Sequence, residues 1–240
     1  IFTMNGKIGI FDSGIGGLTT LKEIRKILPK EDFIYYADSK NNPFGEKSKK
    51  ELNIIVHNIV NELLKYDVKL IVIACNTATT KFINILRKDY PNTIFVGVEP
   101  AIKVACDNNY KNILLMATPG TIVSKRTNEL VLNNKKIDQN IYLLPCKGLA
   151  NAIENNDNNM INKILEKNLS KYKNYEIDSI ILGCTHYPII KNKIKNYFPN
   201  SVIIDGNVGT AKRVKYLLEI NNLLNTKNKK GNVKFIQTKR

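Results

Sequence analysis

The sequence has no long hydrophobic run, no tryptophan, only four cysteines among 240 residues, and far fewer acidic than basic side chains. Its longest apolar runs, Leu70 to Cys75 and Ile180 to Cys184, have the length of a strand, which excludes a membrane-spanning helix of about 18 residues or more. The cysteines form no C-x-x-C pair and no signal peptide is evident, so we expect free thiols in a reducing cytoplasm. The hydrophobic content of 43% is typical of a globular chain with a sizeable core.

The shortage of acidic residues leaves a formal net charge of +16, from 37 Lys and Arg against 21 Asp and Glu. Such a charge is compatible with binding to nucleic acid or to a membrane surface. The basic residues are scattered through helical patterns, however, and their densest stretches (47–50, 191–195 and 227–240) carry little aromatic interleaving. We therefore interpret the charge as a compositional bias. A nucleic-acid-binding protein or a partner-inhibiting module is the less favoured hypothesis.

Short apolar segments alternate with helical patterns along the chain, as in the helical spacing of residues 18–28 and 52–63. This alternation predicts an α/β fold with mostly parallel sheets flanked by helices. Because the strand segments are apolar throughout, we expect burial on both faces of each sheet. Strands are predicted at 7–11, 33–37, 70–74, 94–98, 112–117, 141–144, 179–182 and 202–204, with a further short strand at 232–237.

Two segments about 110 residues apart share one plan. Residues 70–77 form an apolar strand that ends in Cys75 and continues into polar residues, and residues 180–186 repeat this order around Cys184. The repeat predicts two similar α/β domains, each with one thiol at the carboxyl end of a strand, where ligands bind in open sheets. We expect a first domain of residues 1–97 plus 207–240, a second of 98–206, and an active site at the domain interface.

The residues around the two cysteines are suited to proton transfer. Cys75 precedes Asn76 and Thr77, which favour the start of a helix, and a helix amino terminus lowers the pKa of a thiol. Cys184 stands in a similar place, and His186 follows two residues later as a proton shuttle for neutral pH. Taken alone, Cys75 is better explained as a buried structural residue, whereas for His186 a role in the site and a role in the fold are equally well supported.

Asp12 and Ser13 follow the first strand and open a loop that contains Gly14, Gly16 and Gly17. A glycine loop between a strand and a helix is able to hold phosphate or carboxylate. Its spacing matches neither the dinucleotide-binding pattern nor a P-loop. For Asp12 three roles stay open: a helix cap, a binder of a ligand amine, or a group that polarises a thiol.

Two thiols, one from each half, are suited to inverting a stereocentre. One thiolate removes a proton from the carbon, and a thiol on the opposite face returns one. With each sulfur at near-attack distance from the carbon, we expect the sulfurs about 6–8 Å apart, too far for a disulfide. Zinc binding is less favoured, because among the Cys and His residues only Cys184 and His186 are close in sequence.

Three motifs resemble one family of enzymes. Residues 7–18 (KIGIFDSGIGGL), 73–78 (IACNTA) and 182–188 (LGCTHYP) resemble, in this order, the signatures of glutamate racemases. The related aspartate racemases share the Cys-Asn-Thr block but typically have Glu two residues after the second cysteine, where this chain has His186. The resemblance therefore favours glutamate over aspartate, and an aspartate or broad-specificity amino-acid racemase is the alternative.

The resemblance implies a cofactor-independent isomerase that binds no metal and interconverts L- and D-glutamate, with D-glutamate going into bacterial peptidoglycan. Glutamate is the expected small-molecule partner, and a homodimer is expected. Phe44 stands where the family usually has Tyr, so a hydroxyl contact is lost. By the matching motifs, Cys75 and Cys184 would exchange the protons, assisted by Asp12, His186 and Glu154. The implied substrate contacts are Ser13, Pro43, Phe44, Gly45, Asn76, Thr77, Thr118, Thr121 and Thr185.

Overall fold

The computed structural model describes residues 4–239, in which nine strands form two separate sheets and every strand pair is parallel. The strand order is β4-β3-β1-β2-β9 in the first sheet and β6-β5-β7-β8 in the second. The strands are β1 (Lys7–Asp12), β2 (Phe33–Ala37), β3 (Val68–Ile73), β4 (Phe95–Gly97), β5 (Asn112–Ala117), β6 (Asn140–Pro145), β7 (Ser179–Gly183), β8 (Val202–Asp205) and β9 (Val233–Gln237).

The two sheets repeat one strand order. β1 lies between β2 and β3 in the first sheet, and β5 lies between β6 and β7 in the second. β4 and β8 take equivalent places beside β3 and β7, so only the edge strand β9 has no counterpart. The prediction of two similar, mostly parallel α/β units is confirmed. The division into residues 1–97 plus 207–240 and 98–206 stays a prediction.

Helices cover both faces of each sheet, so each sheet lies between two clusters of buried apolar side chains. Several helices begin at a residue whose side chain accepts a backbone N–H, among them Ser48, Ser124 and Asp157. No helix within residues 4–239 has the length and apolar content needed to cross a bilayer. The α-helices are α1 (Leu18–Ile27), α2 (Lys49–Leu64), α3 (Asn76–Asp89), α4 (Ile102–Asp107), α5 (Pro119–Ile122), α6 (Lys125–Asn134), α7 (Leu149–Glu154), α8 (Asn158–Leu169), α9 (Lys191–Lys195) and α10 (Asn207–Ile220).

The predicted strands agree with the observed ones to within two residues at each end. The largest shift is in β3, which begins at Val68 rather than at Leu70 because Lys69 belongs to the strand although its charge argues against burial. The Lys69 ammonium is fully buried and lies 2.6 Å from a carboxylate oxygen of Glu31. It also donates to the backbone oxygens of Met4 and Leu223. These partners offset the loss of hydration that otherwise keeps lysine out of a core strand.

Candidate active site

The two cysteines predicted to act together open onto one cavity between the sheets. Cys75 follows the carboxyl end of β3, and Cys184 follows the carboxyl end of β7. The cavity is narrow, with a volume of about 10 Å³, which is room for roughly one water molecule. Its lining comprises Ser13, Pro43, Phe44, Gly45, Cys75, Asn76, Thr77, Thr118, Ala150, Gly183, Cys184, Thr185 and His186.

Cys75 lies at the amino terminus of α3. The backbone N–H groups of Thr77 and Ala78 point at its sulfur, and this interaction lowers the thiol pKa. Burial and the negative charge of Asp12 are the larger influences, however, and they raise the pKa of Cys75 well above its usual range. The expectation of a lowered pKa at this thiol was therefore wrong, because the helix terminus does not outweigh the loss of hydration. At neutral pH Cys75 carries its proton.

Cys184 has a different local structure from Cys75. A short 3₁₀ turn, Tyr187–Ile190, follows it, so the expectation of a helix amino terminus at both cysteines was wrong for this one. Pro188 lies in this turn, and its ring favours the turn over a regular helix beginning at residue 185. The polar partner of the Cys184 sulfur is instead the imidazole of His186, whose Nδ1 atom lies 3.9 Å away.

His186 is tied to Glu154. Its Nε2 atom lies 2.6 Å from Oε2 of the Glu154 carboxylate, and both side chains are almost fully buried. Burial disfavours a charged imidazole, but hydrogen bonds to Cys184 and Glu154 outweigh it and raise the pKa of His186 to about 10. His186 is therefore an imidazolium at neutral pH, with its positive charge beside the Cys184 sulfur. Through this histidine, Glu154 is linked to the cysteine.

The glycine loop after β1 packs against the side chains of His186 and Glu154. A Cβ atom on Gly16 would lie 2.4 Å from Nδ1 of His186, and one on Gly14 would lie 2.3 Å from the Glu154 carboxylate. The backbone N–H of Ile15 donates to that carboxylate over 2.9 Å. The loop thus binds a carboxylate, as its composition suggests, but the carboxylate belongs to Glu154 of the same chain. Glycine is needed at these two positions because the side chains of His186 and Glu154 lie directly against the loop backbone.

Asp12 lies behind the cavity lining and is completely buried. Its carboxylate accepts the backbone N–H of Gly17 at 2.8 Å and the hydroxyl of Thr185 at 3.3 Å. Burial raises the pKa of Asp12 to about 6, although the charge of His186 and the N–H of Gly17 lower it. Of the three roles left open by the sequence, a side-chain cap on α1 is not observed. Asp12 contacts Thr185, which itself lines the cavity.

Three threonines form a cluster of hydroxyl groups on one side of the cavity. The Thr77 hydroxyl lies 2.8 Å from that of Thr118 and 3.1 Å from that of Thr121. Thr77 and Thr118 line the cavity, whereas Thr121 is fully buried behind them. Because Thr77 belongs to α3 and Thr118 follows β5, these bonds also join the two halves of the site. Phe44 lines the cavity with an apolar ring that is 1% exposed.

Some residues of the site had no sequence signal. Ala150 stands in none of the three motifs and lines the cavity with only a methyl group. Gly183 also lines the cavity and does lie within the 182–188 motif, but the motif alone assigned it no role. Asn42 donates to the backbone oxygen of Ser13, and the Tyr35 hydroxyl donates to that of Gly14. Neither polar residue stands in a recognisable motif, so only their position beside the loop identifies them. Within residues 4–239, no three His, Cys, Asp or Glu side chains are grouped as metal ligands would be.

The chain is similar to known racemases over most of its length. The family described as Asp/Glu/Hydantoin racemase matches residues 21–214. A glutamate racemase of Clostridium botulinum (strain Alaska E43 / Type E3) is 41% identical, over 98% of this chain and 92% of that protein. One of Clostridium novyi (strain NT) is 44% identical, over 96% of this chain and 90% of that protein.

Solved structures extend this similarity to the fold. The crystal structure of glutamate racemase from Francisella tularensis in complex with D-glutamate has a TM-score of 0.85 and 31% identity, covering 99% of this chain and 89% of its own. Glutamate racemase from Thermus thermophilus in complex with β-chloro-D-alanine has a TM-score of 0.83 and 30% identity, over 99% and 90% of the chains. An aspartate racemase of Picrophilus torridus, at 22% identity and a TM-score of 0.59, shares the fold alone.

Proposed function

The chain belongs to the Asp/Glu/Hydantoin racemase family, and from this premise we propose that it interconverts L- and D-glutamate with two thiols and no cofactor. It is thus an isomerase, and relatives with 41% and 44% identity over nearly its whole length support glutamate as the substrate. A single observation carries the two-thiol mechanism: Cys75 and Cys184 line one cavity from two different sheets.

The different groups beside the two sulfurs suggest complementary tasks for Cys75 and Cys184. Cys75 is a thiol at neutral pH, while the imidazolium of His186 lies beside the Cys184 sulfur. In one direction the Cys184 thiolate removes the α-proton and becomes a thiol. The Cys75 thiol then delivers its proton to the opposite face of the carbon and becomes a thiolate. The reverse direction begins from these exchanged states, so each turnover conserves one proton between the two sulfurs.

The carbanion between the two proton transfers needs stabilisation. In a nearly dry cavity, fixed donors act more strongly than they would in water. The hydroxyls of Thr77, Thr118 and Thr185 and the amide of Asn76 all face or border this space. We propose that they hold the substrate carboxylates and ammonium group, together with Ser13, Pro43, Phe44 and Gly45. Thr121 orients the first two threonines.

Substrate entry requires movement, because an amino acid is far larger than a cavity of about 10 Å³. Several polar contacts help to close the cavity, among them those of Thr185 with Asp12, Ile15 with Glu154, and Thr77 with Thr118. Each joins groups from opposite sides of the cavity. We propose that the two sheets separate by breaking these contacts and close again around the substrate, which also excludes water from the carbanion.

Racemisation in deuterated water tests the mechanism. Wild-type protein should incorporate deuterium at the α-carbon as it racemises, and Cys75→Ser or Cys184→Ser should each lower kcat by about 10²–10⁴. Cys106→Ala is the matched control, because Cys106 is equally buried but lies in α4. If either serine variant racemises glutamate at the wild-type rate, the two-thiol assignment fails.

A substrate panel decides between glutamate and the alternative. Circular dichroism should show racemisation of glutamate at a kcat/KM at least about tenfold above that of aspartate or alanine; equal values would indicate a broad-specificity racemase.

We further propose that the D-glutamate supplies peptidoglycan synthesis, and thereby cell-wall formation and cell shape, in the cytoplasm. The four free thiols support a reducing compartment.

A further inference from the structure

A second, larger cleft adjoins the catalytic cavity. It has a volume of about 640 Å³ and lies between α3, α6 and the start of α2. Its charged lining is mostly positive, with five cationic and two acidic side chains. The cations are Lys49, Lys81, Arg87, Lys125 and Arg126, and the acids are Glu99 and Glu129.

The charges of the cleft are unevenly neutralised. Arg126 forms a two-bond pair with Glu99, at 2.7 and 3.1 Å, and Lys125 lies 3.7 Å from Glu129. Arg87 donates to a backbone oxygen, that of Phe95. For Lys81, by contrast, no carboxylate is among the charges that influence its ammonium, and it makes no ion pair or hydrogen bond within residues 4–239.

Lys81 stands at the wall between the cleft and the catalytic cavity. It lies one helical turn after Thr77 on α3, so both side chains share one face of the helix. A Cβ on Gly120 would lie 2.8 Å from the Lys81 Nζ atom, 2.8 Å from the backbone oxygen of Gly45 and 3.2 Å from a Thr77 methyl carbon. Gly45 and Thr77 line the catalytic cavity, so the ammonium lies against its outer wall.

This ammonium is partly removed from water without a protein anion to compensate. Burial lowers the pKa of Lys81, and the neighbouring Cys75 opposes that shift, which indicates that the two groups are near enough to interact. An unpaired, half-buried cation is unfavourable unless an anion reaches it. Lys125 differs in this respect: it borders the same cleft, but its side chain is 92% exposed and hydrated. The compositional bias toward lysine therefore does not explain why the Lys81 ammonium is half-buried at this wall.

We propose that Lys81 is a positioning residue, whose ammonium attracts a carboxylate of the amino-acid substrate arriving through the basic cleft and steadies it at the Thr77 side of the cavity. This role rests on the proposed function, because it assumes that an acidic amino acid is the substrate. A carboxylate meets a cation at the cleft wall before it meets the hydroxyls of Thr77 and Thr118. The attraction is strong there because water is partly excluded.

Steady-state kinetics test the role through the division between KM and kcat. Lys81→Met should raise KM for glutamate about tenfold while kcat stays within about threefold, and should flatten the salt dependence of kcat/KM. Lys81→Arg should restore KM, because it returns the charge. Lys125→Met, which removes one charge from the same cleft, should behave as wild type. An unchanged KM and salt dependence in Lys81→Met would overturn the proposal.

Alkylation of Cys75 provides a test that needs no turnover. Iodoacetate and iodoacetamide are similar in size, but only the first is an anion, so the ratio of their rates at Cys75, followed by peptide mass spectrometry, reports the attraction of anions. Lys81→Met should lower this ratio about fivefold or more, and Lys125→Met should leave it unchanged.

The outcomes separate the role of Lys81 from the proposed function. If the ratio falls in Lys81→Met but wild-type protein racemises no acidic amino acid, the proposed function fails and the anion-attracting role of Lys81 stands. If the ratio is unchanged in a variant that unfolds at the wild-type temperature, the role of Lys81 fails. If Lys81→Met does not fold, Lys81→Gln replaces it under the same criteria.

Discussion

Cys75 and Cys184 follow equivalent strands, β3 and β7, of two sheets with the same strand order, but different groups surround the two sulfur atoms. Cys75 is approached by backbone N–H groups of a helix and keeps its proton. Cys184 has the imidazolium of His186, itself paired with Glu154. The position two residues after each cysteine holds Thr77 in one unit and His186 in the other. The repeated fold thus places the two sulfurs alike, while different side chains at equivalent positions surround them with different charges.

The largest effect expected from this difference is that of His186→Asn. Asn keeps a polar side chain but cannot carry a positive charge beside the Cys184 sulfur, so kcat should fall about 10²–10³. Because the equilibrium constant of racemisation is unity by symmetry, kcat/KM must fall equally in both directions, whereas the two kcat values should fall unequally. Polarimetric assays from each enantiomer measure this. His57→Asn is the control, since His57 lies on α2 and bonds Asp89; an equal loss in both kcat values would contradict the asymmetry.

Asp12 belongs to the Cys75 sheet but bonds Thr185 of the Cys184 sheet, and its titration should appear in the stability of the protein. The folded protein holds the Asp12 proton up to about pH 6, whereas the unfolded chain loses it near pH 3.8. The unfolding free energy of wild type should therefore fall, relative to Asp12→Asn, as pH rises from 4 to 6, on the order of 2–3 kcal/mol in total. Urea unfolding at several pH values measures the difference, and a constant difference between the two proteins would refute it.

Gly16→Ala should disturb the Cys184 side selectively. The added methyl group would lie 2.4 Å from Nδ1 of His186, so the histidine or the loop must shift, at about 1–3 kcal/mol of unfolding free energy and with a loss of kcat. Gly209→Ala is the matched control, because nothing lies within 4 Å of its Cβ position in α10. That variant should gain about 0.5–1 kcal/mol from the helix propensity of alanine. Thermal unfolding and kcat of both variants are the measurements, and equal effects at the two positions would show that the loop does not constrain His186.

Glu154→Gln should have the smallest effect. The neutral amide keeps a hydrogen bond to His186 but removes the negative charge, so the pKa of His186 should fall below its value of about 10. The charged imidazole stabilises the folded site fully below pH 6.5, and this stabilisation is lost as pH rises through the folded pKa of His186. Because that pKa is lower in the variant, the imidazole should lose its charge, and the protein its activity, at a lower pH than in wild type. At pH 8–9 we expect kcat/KM about tenfold lower. The pH dependence of kcat/KM measures this, and an unchanged upper limb would show that Glu154 does not hold the charge.

Much of the fold can be predicted from the sequence, because buried parallel strands consist of uninterrupted runs of apolar residues. Strand positions, the parallel α/β class and the duplication were all predictable in this way, and the structure confirms them. Lys69 was not predictable as a strand residue, because its compensating partner Glu31 is 38 positions away along the chain. The motif residues were also predictable as a group, and the structure brings them to one cavity or directly behind it. Their individual roles stay predictions.

Composition and motif spacing determined that Cys75 and Cys184 each follow a buried strand, because hydrophobic runs and the polar residues that stop them are local properties of the chain. Only the tertiary structure decided how each thiol behaves. The raised pKa of Cys75, the charge on His186 and the unpaired ammonium of Lys81 all depend on which groups are buried together. Hydration and Coulomb energies are set by distances in space, and the order of residues does not contain them.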